Sequence, residues 1–138
     1  MGLWTPDAAK AVRLRRHLDD DCLLFYNVNA EFASLIGDRT VTSRARSAVF
    51  ASLADGVCVS GPMTGDEVAY SDLESVKAAI PEVPVIANTG VKIGNVVEIL
   101  KVADAAIVGT SFKQDGNTWK PVDLERVKAF MDVVRRAR

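Results

Sequence analysis

Short apolar runs and helical patterns of apolar residues alternate along the chain. Four of the apolar runs have the length of strands, and helical spacing precedes the first run and follows each of the four. The predicted strands are residues 22–28, 57–60, 85–87 and 105–108. Strands that alternate with helices of this length predict a parallel sheet with right-handed crossovers. We therefore predict an α/β fold, with one helix followed by four βα units and with both faces of the sheet buried.

Capping residues predict where several of the helices begin and end. Thr5 is the predicted N-cap of the first helix, residues 19–21 are its predicted end, and Asp123 is the predicted cap of the last helix. Ser71 and Glu74 have the spacing of a capping box. The predicted buried positions are Ala8, Val12 and Leu18; Ala45, Val49, Phe50 and Leu53; Leu73, Val76 and Ile80; Val96, Val97 and Leu100 in a helix over 93–101; and Leu124, Val127, Phe130, Met131 and Val134.

Two strand-to-helix corners, at residues 85–91 and 105–111, carry the clearest functional pattern. Each is an apolar run that ends in small, hydroxylated and glycine residues, among them Gly90 and Gly109. Glycine lets the backbone approach a ligand, and N–H groups at a helix start point toward an anion. Two consecutive corners of this kind are similar to the phosphate site at the end of a TIM (β/α)8 barrel. A whole barrel needs about 250 residues and the chain has 138, so we predict the C-terminal half of a barrel as one domain over residues 1–138.

Ligands bind parallel sheets of this type at the carboxyl ends of the strands, which selects the candidate site residues. The predicted phosphate-binding residues are Thr89, Gly90, Gly109 and Thr110, and the predicted substrate-binding residues are Asn27, Ser60, Thr64, Asn88 and Lys113. Glu31 and Asn29 form the predicted catalytic set, with Glu31 as the general base. The alternatives are ordinary turn chemistry at the corners, a surface charge at Glu31 and a solvating role for Lys113.

Composition narrows the class of protein. Charged residues are 25% of the chain and the formal net charge is −1, so no overall field favours nucleic acid. No apolar run is long enough for a membrane span, and we expect a cytoplasmic protein without a transmembrane segment. Cys22 and Cys58 are predicted to be buried free thiols. A single histidine, His17, is expected on a helix surface, so neither a metal nor a cofactor is predicted.

Three motifs stand out in the chain: Val59-Ser60-Gly61-Pro62-Met63-Thr64-Gly65, the segment Asn88-Thr89-Gly90-Val91 with Asn95-Val96, and the run from Ala103 through Val108-Gly109-Thr110 to Lys113. Together they resemble motifs of the BtpA family. Trp119, Pro121-Val122-Asp123 and Arg126-Val127 continue the match. The resemblance is to the C-terminal part of the family, and it implies a fold similar to phosphate-binding TIM barrels and a phosphate site. Some members are implicated in stabilising photosystem I, and others lie near sugar-uptake genes.

The corner after the first predicted strand, at residues 27–31, differs from the pattern that the resemblance implies. Many family members have acidic, histidine and lysine side chains there, whereas this chain has Asn27, Asn29 and Glu31. Asparagine does not transfer protons near neutral pH, so acid–base chemistry at this corner depends on Glu31 alone.

The leading hypothesis is a half barrel that binds a phosphorylated small metabolite such as a sugar phosphate, with an isomerase-, epimerase- or aldolase-type step as the chemistry that Glu31 would serve. The alternatives are a non-enzymatic assembly or stability factor, a split-barrel partner, and a truncated fragment without a role of its own. Four strands cannot close a barrel, so the inner face of the sheet would meet water and the unpaired strand edges would invite another chain. A homo-oligomer that completes the barrel is therefore expected.

Overall fold

A computed structural model describes residues 2–18 and 21–137. Within them, five α-helices and four strands follow one another in the predicted order. The helices are α1 (Ala8–Leu18), α2 (Val41–Ser52), α3 (Tyr70–Ala79), α4 (Val96–Ile99) and α5 (Leu124–Ala137), and the strands are β1 (Phe25–Asn27), β2 (Gly56–Val59), β3 (Val85–Ala87) and β4 (Ala105–Ala106). Two 3₁₀ turns, Thr110–Phe112 and Gln114–Gly116, lie between β4 and α5.

The four strands form one parallel sheet in the order β1-β2-β3-β4. Tyr26 lies opposite Val57, and Val57 lies opposite Val85, so neighbouring strands follow each other in register. Because all the strands run the same way, their carboxyl ends share one rim of the sheet. This architecture confirms the predicted α/β class and is compatible with half of a (β/α)8 barrel.

One face of the sheet packs against the helices and forms the hydrophobic core. Val57, Val59 and Val85 point to this face and are completely buried, and Leu73 and Val76 of α3 pack on it. Phe130 and Val134 close the core from α5. Burial of this apolar surface, at roughly 25 cal/mol per Å², is the main force that holds the helices on the sheet.

The opposite face of the sheet is less covered than predicted. Side chains alternate between the faces along a strand, so Phe25, Cys58, Ile86 and Ile107 share this second face. Cys58 and Ile86 on the central strands are buried, but Phe25 and Ile107, at the outer strands, are 51% and 47% exposed. The prediction of a sheet buried on both faces is confirmed for the central strands, whereas the outer strands agree with the expectation that the inner face of a half barrel meets water.

Several predicted boundaries are wrong by a few residues. The N-cap side chain of α1 is Asp7, not Thr5, because the Asp7 carboxylate accepts the Lys10 N–H at 2.8 Å. Helix α3 begins at Tyr70 with no side-chain cap, so the capping box at Ser71 and Glu74 does not form. Helix α4 covers only Val96–Ile99 of the predicted 93–101, and β1 and β4 are shorter than predicted. The predicted end of α1 at residues 19–21 lies mostly outside the described residues.

Other side chains differ from the predicted burial. Leu18, Phe50, Leu53 and Leu124 are exposed although the helical pattern predicts them to be inside. Cys22 is exposed too, whereas Cys58 is buried as predicted, and burial raises the pKa of the Cys58 thiol. Asp123 is confirmed as the cap of α5, because its carboxylate accepts the Glu125 N–H at 2.9 Å. His17 is exposed on α1, as predicted. Across the described residues, none of the helices has the length and apolar character that a membrane crossing needs.

Candidate functional site

Polar side chains from the ends of three neighbouring strands meet at one hydroxyl. Ser60 follows β2, and its Oγ accepts hydrogen bonds from Asn27 Nδ2 at 2.8 Å and from Asn88 Nδ2 at 2.9 Å. Ser60 is 2% exposed, so both amides are tied to a buried anchor. Three of the predicted substrate-binding residues are therefore brought together, and the bonds hold their orientations before any ligand arrives.

Asn29 has a separate task beside this cluster. Its Nδ2 donates to the Ser60 carbonyl at 2.8 Å, and its Oδ1 accepts the Ser60 N–H, also at 2.8 Å. Both polar atoms of the Asn29 side chain therefore bond the backbone of Ser60, as the backbone of a paired strand would. This geometry makes Asn29 a residue that positions Ser60, while its predicted catalytic role stays a prediction.

Glu31 lies at the start of a long loop after β1, between residues 29 and 40. One of its carboxylate oxygens accepts a weak hydrogen bond from Asn27 Nδ2 at 3.5 Å. Arg44 of α2 bridges the two ends of this loop, because its Nε donates to the Val28 carbonyl at 2.7 Å and its Nη1 donates to the Arg39 carbonyl. The bridge holds the loop against the rim, so that the carboxylate stays beside the asparagine cluster.

A cleft of about 420 Å³ opens at this rim of the sheet. Seven of the predicted site residues line it: Glu31, Thr64, Asn88, Thr89, Gly90, Gly109 and Thr110. The two corners that the sequence singled out therefore share one cavity instead of facing different sides of the molecule. Among the described residues, no protein acceptor is bonded to the amide N–H of Gly90 or of Gly109. The cleft lining thus includes two glycines whose amides have no such acceptor, together with residues that carry hydroxyl, amide and carboxylate groups.

The first corner is crowded by the chain itself. Gly90 has φ +65, and a Cβ there would lie 2.3 Å from the Asp66 carbonyl oxygen. A Cβ on Gly61 would come 2.5 Å from the same oxygen. Thr89 is 6% exposed, and its hydroxyl accepts the Gly61 N–H. At this corner glycine is required mainly because the backbone of residues 66–67 crosses it, and the phosphate role of Thr89 and Gly90 stays a prediction.

The second corner is open. A Cβ on Gly109 would have nothing within 4 Å. Behind it, the 3₁₀ turn is held by an edge-to-face contact between Phe112 and Phe130, with ring centroids 5.1 Å apart. The Asp123 N–H donates to the Phe112 carbonyl at 2.7 Å, which places the start of α5 beside the turn. The space beside Gly109 is therefore open, and a packed turn lies behind it.

The structure adds two cations that the sequence-based prediction did not assign to the site. Arg126 and Lys92 both line the cleft, whereas Lys113 is not part of its described lining and pairs in antiparallel fashion with Val122. Arg126 could have been found from its position three residues after the helix cap Asp123. Trp119, which belongs to the family motifs, is 93% exposed and is not part of the described lining.

Lys92 is already paired within the protein. Its Nζ lies 2.7 Å from a carboxylate oxygen of Glu67. The hydrogen bond from Lys92, then that from Asn95, and the charge of Lys92 lower the pKa of Glu67 below its usual range, so Glu67 is ionised at neutral pH. The charge of Lys92 is therefore compensated before a ligand binds.

A larger open groove, of about 720 Å³, lies at the opposite rim between α3, α4 and the end of α5. Its charged side chains include Lys77 and Asp104, which pair with each other at 2.7 Å. The Asp104 carboxylate also accepts the Val85 N–H at 2.8 Å, which gives Asp104 a structural role at the start of β4. Because these groups satisfy one another, the smaller cleft at the carboxyl rim is the better candidate site.

Comparison with known proteins places the chain among relatives of about twice its length. It is 35% identical to the sgc region protein SgcQ of Escherichia coli K12 over 99% of this chain and 52% of the relative. It is 30% identical to the photosystem I biogenesis protein BtpA of Synechocystis sp. PCC 6803, over 96% and 46%. An uncharacterized protein of Thermococcus kodakarensis is 34% identical over 95% and 49%. No solved structure matches the chain significantly.

The chain spans about half the length of these curated relatives. The model of the BtpA family nevertheless matches residues 1–136, which is almost all of it. The resemblance found in the motifs is thereby confirmed, and the chain belongs to the BtpA family.

Proposed function

We propose that the cleft at the carboxyl rim binds a phosphorylated small metabolite such as a sugar phosphate. The observation that carries this proposal is that Gly90 and Gly109, whose amides have no protein acceptor among the described residues, line one cavity together with Thr110. Backbone N–H groups and hydroxyls are the donors that phosphate oxygens accept. The Asn88 amide, which Ser60 holds in place, lines the same cleft and would meet the polar remainder of the ligand.

Paired variants of two threonines test phosphate binding. Thr110 and Thr118 share a hydrogen bond of 2.8 Å between their hydroxyls, but only Thr110 lines the cleft. Thr110→Val and Thr118→Val both break this bond, so they match in their effect on the turn. We expect Thr110→Val to weaken the thermal stabilisation by ribose 5-phosphate and Thr118→Val to leave it unchanged. A folded wild-type protein that no sugar phosphate or inorganic phosphate stabilises would refute the proposal.

Glu31 is the proposed general base in an isomerase-, epimerase- or aldolase-type step. These reactions share the removal of a proton from carbon, and Glu31 is the carboxylate of the cleft lining. Exchange of ligand C–H protons in D₂O, followed by NMR, reports that step without knowledge of the product. Glu31→Gln preserves shape and should abolish exchange while sugar-phosphate binding persists. Exchange that survives this substitution assigns the chemistry elsewhere.

A second candidate function is a non-enzymatic assembly or stability factor. One relative is named a photosystem I biogenesis protein, and the chain exposes an aromatic pair, Trp4 and Phe32, whose ring centroids are 5.4 Å apart. Both side chains are more than half exposed. Under this alternative, the Glu31→Gln and Asn88→Ala variants should still bind a defined subunit of a membrane complex, and the Trp4→Ser variant should not. Loss of capture with the cleft variants favours the metabolite function instead.

We further propose that a second copy of the chain covers the exposed face of the sheet. Phe25 and Ile107 lie on this face, and β1 and β4 each leave one edge unpaired in the sheet of the described residues. The relatives are about twice as long as the chain, so two copies match their length and give the eight strands of a barrel. In this arrangement each copy takes the part of the C-terminal half.

A cytoplasmic location is the last part of the proposal. The structure has free cysteines at Cys22, which is exposed, and at Cys58. Reducing compartments preserve such thiols. Fractionation of cells that make the tagged chain tests the location, and recovery with secreted proteins would contradict it.

A further inference from the structure

We propose that Arg126 is the cation that grips the phosphate group in the cleft. This inference rests on the proposed function, since it names the residue that selects a doubly charged phosphate over a neutral sugar or a singly charged anion. Nothing in the motifs alone assigns such a role to Arg126, because it stands on the helix after the second corner and outside every strand end.

Local contacts aim the Arg126 side chain at the open corner. Its Nε donates to the Ser111 carbonyl at 2.9 Å, and its Nη2 would lie 3.6 Å from a Cβ on Gly116. The guanidinium is therefore held beside the Gly109–Ser111 turn while both Nη groups have no acceptor among the described residues. Two Nη groups on a planar guanidinium form the geometry that binds phosphate oxygens in pairs.

The charges of the cleft lining single out the same residue. Within the described lining, the ionisable side chains are Glu31, Lys92 and Arg126. Lys92 is paired with Glu67 at 2.7 Å, and Glu31 repels an anion. Arg126 forms no ion pair with a described residue, so of the two cations in the lining it is the one without a carboxylate partner.

The arrangement also sets the direction in which a ligand lies. Arg126, Gly109 and Thr110 line the cleft at the second corner, whereas Glu31 follows β1 at the other edge of the sheet and lies beside Asn27. A phosphate group at the second corner would leave the carbon skeleton of its ester toward Glu31. The ligand class is accordingly a phosphomonoester of a small polyol or sugar, with its phosphate distant from the carbon that exchanges a proton.

Calorimetric titration tests the inference with ribose 5-phosphate and inorganic phosphate as probes and ribose as the neutral reference. Arg126→Gln should lower the affinity for both phosphates by roughly 10- to 100-fold, the range for a hydrogen bond to a charged group. Arg126→Lys should recover part of the loss. Arg136→Gln, at an exposed arginine near the end of the same helix, is the matched control and should bind as the wild type does.

The pH dependence separates charge recognition from a disturbed turn. The second ionisation of a phosphate group has a pKa of about 6. The affinity of the wild type for phosphate should therefore rise between pH 5 and pH 7.5, and this rise should be smaller in Arg126→Gln. Equal loss at both pH values, or wild-type affinity in Arg126→Gln, overturns the role of Arg126. Absence of phosphate binding in the wild type refutes the proposed function itself, and binding that only Thr110→Val weakens refutes this inference alone.

Discussion

At the scale of single residues, Gly90 and Gly109 occupy similar sequence positions and have different physical tasks. Gly90 has a positive φ, and its missing side chain makes room for the backbone of residues 66–67. Gly109 has φ −112 and open space where a side chain would stand. The first glycine is required by the fold, and the second is available to a ligand.

Alanine substitutions at the two glycines should therefore differ sharply in stability. Gly90→Ala places a Cβ 2.3 Å from the Asp66 oxygen and should lower the free energy of unfolding by at least about 3 kcal/mol. Gly109→Ala should change it by less than about 0.5 kcal/mol. Urea unfolding measures both values. Equal effects of the two substitutions would contradict the tight crossing at residue 90.

Tyr26 is a second residue whose energetics can be tested. Its buried hydroxyl has no hydrogen-bond partner among the described residues. Burial raises the pKa of Tyr26, while Arg15 lowers it and Asp55 raises it to smaller extents. A buried polar group without a partner destabilises the folded state.

Removing this hydroxyl should stabilise the protein. We expect Tyr26→Phe to raise the free energy of unfolding by about 1 kcal/mol, because the aromatic packing is kept and the unpaired group is lost. Tyr70→Phe is the control, since Tyr70 is 40% exposed and its hydroxyl can reach water. Chemical unfolding in which Tyr26→Phe is less stable than the wild type would show that the hydroxyl has a partner.

At the scale of elements, the same set of carboxylate bonds occurs twice at the rim of the sheet opposite the cleft. Asp55 precedes β2, accepts the Leu24 N–H at 2.7 Å and pairs with Arg15 of α1 at 2.6 Å. Asp104 precedes β4 and makes the equivalent bonds to Val85 and to Lys77 of α3. Each carboxylate thus joins a helix to the start of the preceding strand. The repeat relates the first two βα units to the last two, although the sequence shows no strong internal repeat.

The bonds that Asp104 makes to Val85 and Lys77 should make the free energy of unfolding depend on pH. Burial, the largest influence, raises the pKa of Asp104, but the hydrogen bonds from Lys77 and Val85 and the charge of Lys77 together lower it below its usual value. A lowered folded-state pKa means that the stabilisation is present above about pH 4 and is lost as the pH falls further.

Asp104→Asn should accordingly cost about 1 kcal/mol at pH 7, and the difference from the wild type should shrink toward pH 3. Unfolding free energies across this range measure it. Asp132→Asn is the control, because its partner Arg135 lies 3.2 Å away on an exposed helix face. A difference that grows as the pH falls would reverse the assigned direction of the pKa shift.

At the scale of the whole molecule, the proposed pairing of two copies depends on the exposed sheet face. In the proposed pair of copies, Phe25 is covered and Phe50, on the outer side of α2, is not. Light scattering after size exclusion should give about twice the 14.9 kDa of one chain for the wild type. Phe25→Lys should give a monomer, and Phe50→Lys, at a side chain that is 87% exposed, should not.

A stable, well-dispersed wild-type monomer at micromolar concentration would refute self-pairing. Co-purification with a different chain of matching length, in place of a second copy, would also refute it and would favour a split barrel. Either result leaves the cleft itself intact, since the residues that line it come from one chain.

The amino-acid sequence by itself determined the type and order of the elements, because hydrophobic spacing and turn residues act over a few positions. It also determined that the two corners lie at one rim, since parallel strands end together. It did not determine the burial of Phe50, Leu124 or Cys22, because the apolar period is the same whether or not a neighbouring element covers that face.

Only the tertiary structure decided what each polar group at the rim does. Thr89 bonds Gly61, Asn29 bonds Ser60, and Arg126 reaches Ser111. The first two bonds join residues about thirty positions apart in sequence, and the third depends on where α5 begins beside the 3₁₀ turn. Local pattern cannot report such contacts, because chain folding and not spacing along the sequence brings these groups within hydrogen-bond distance.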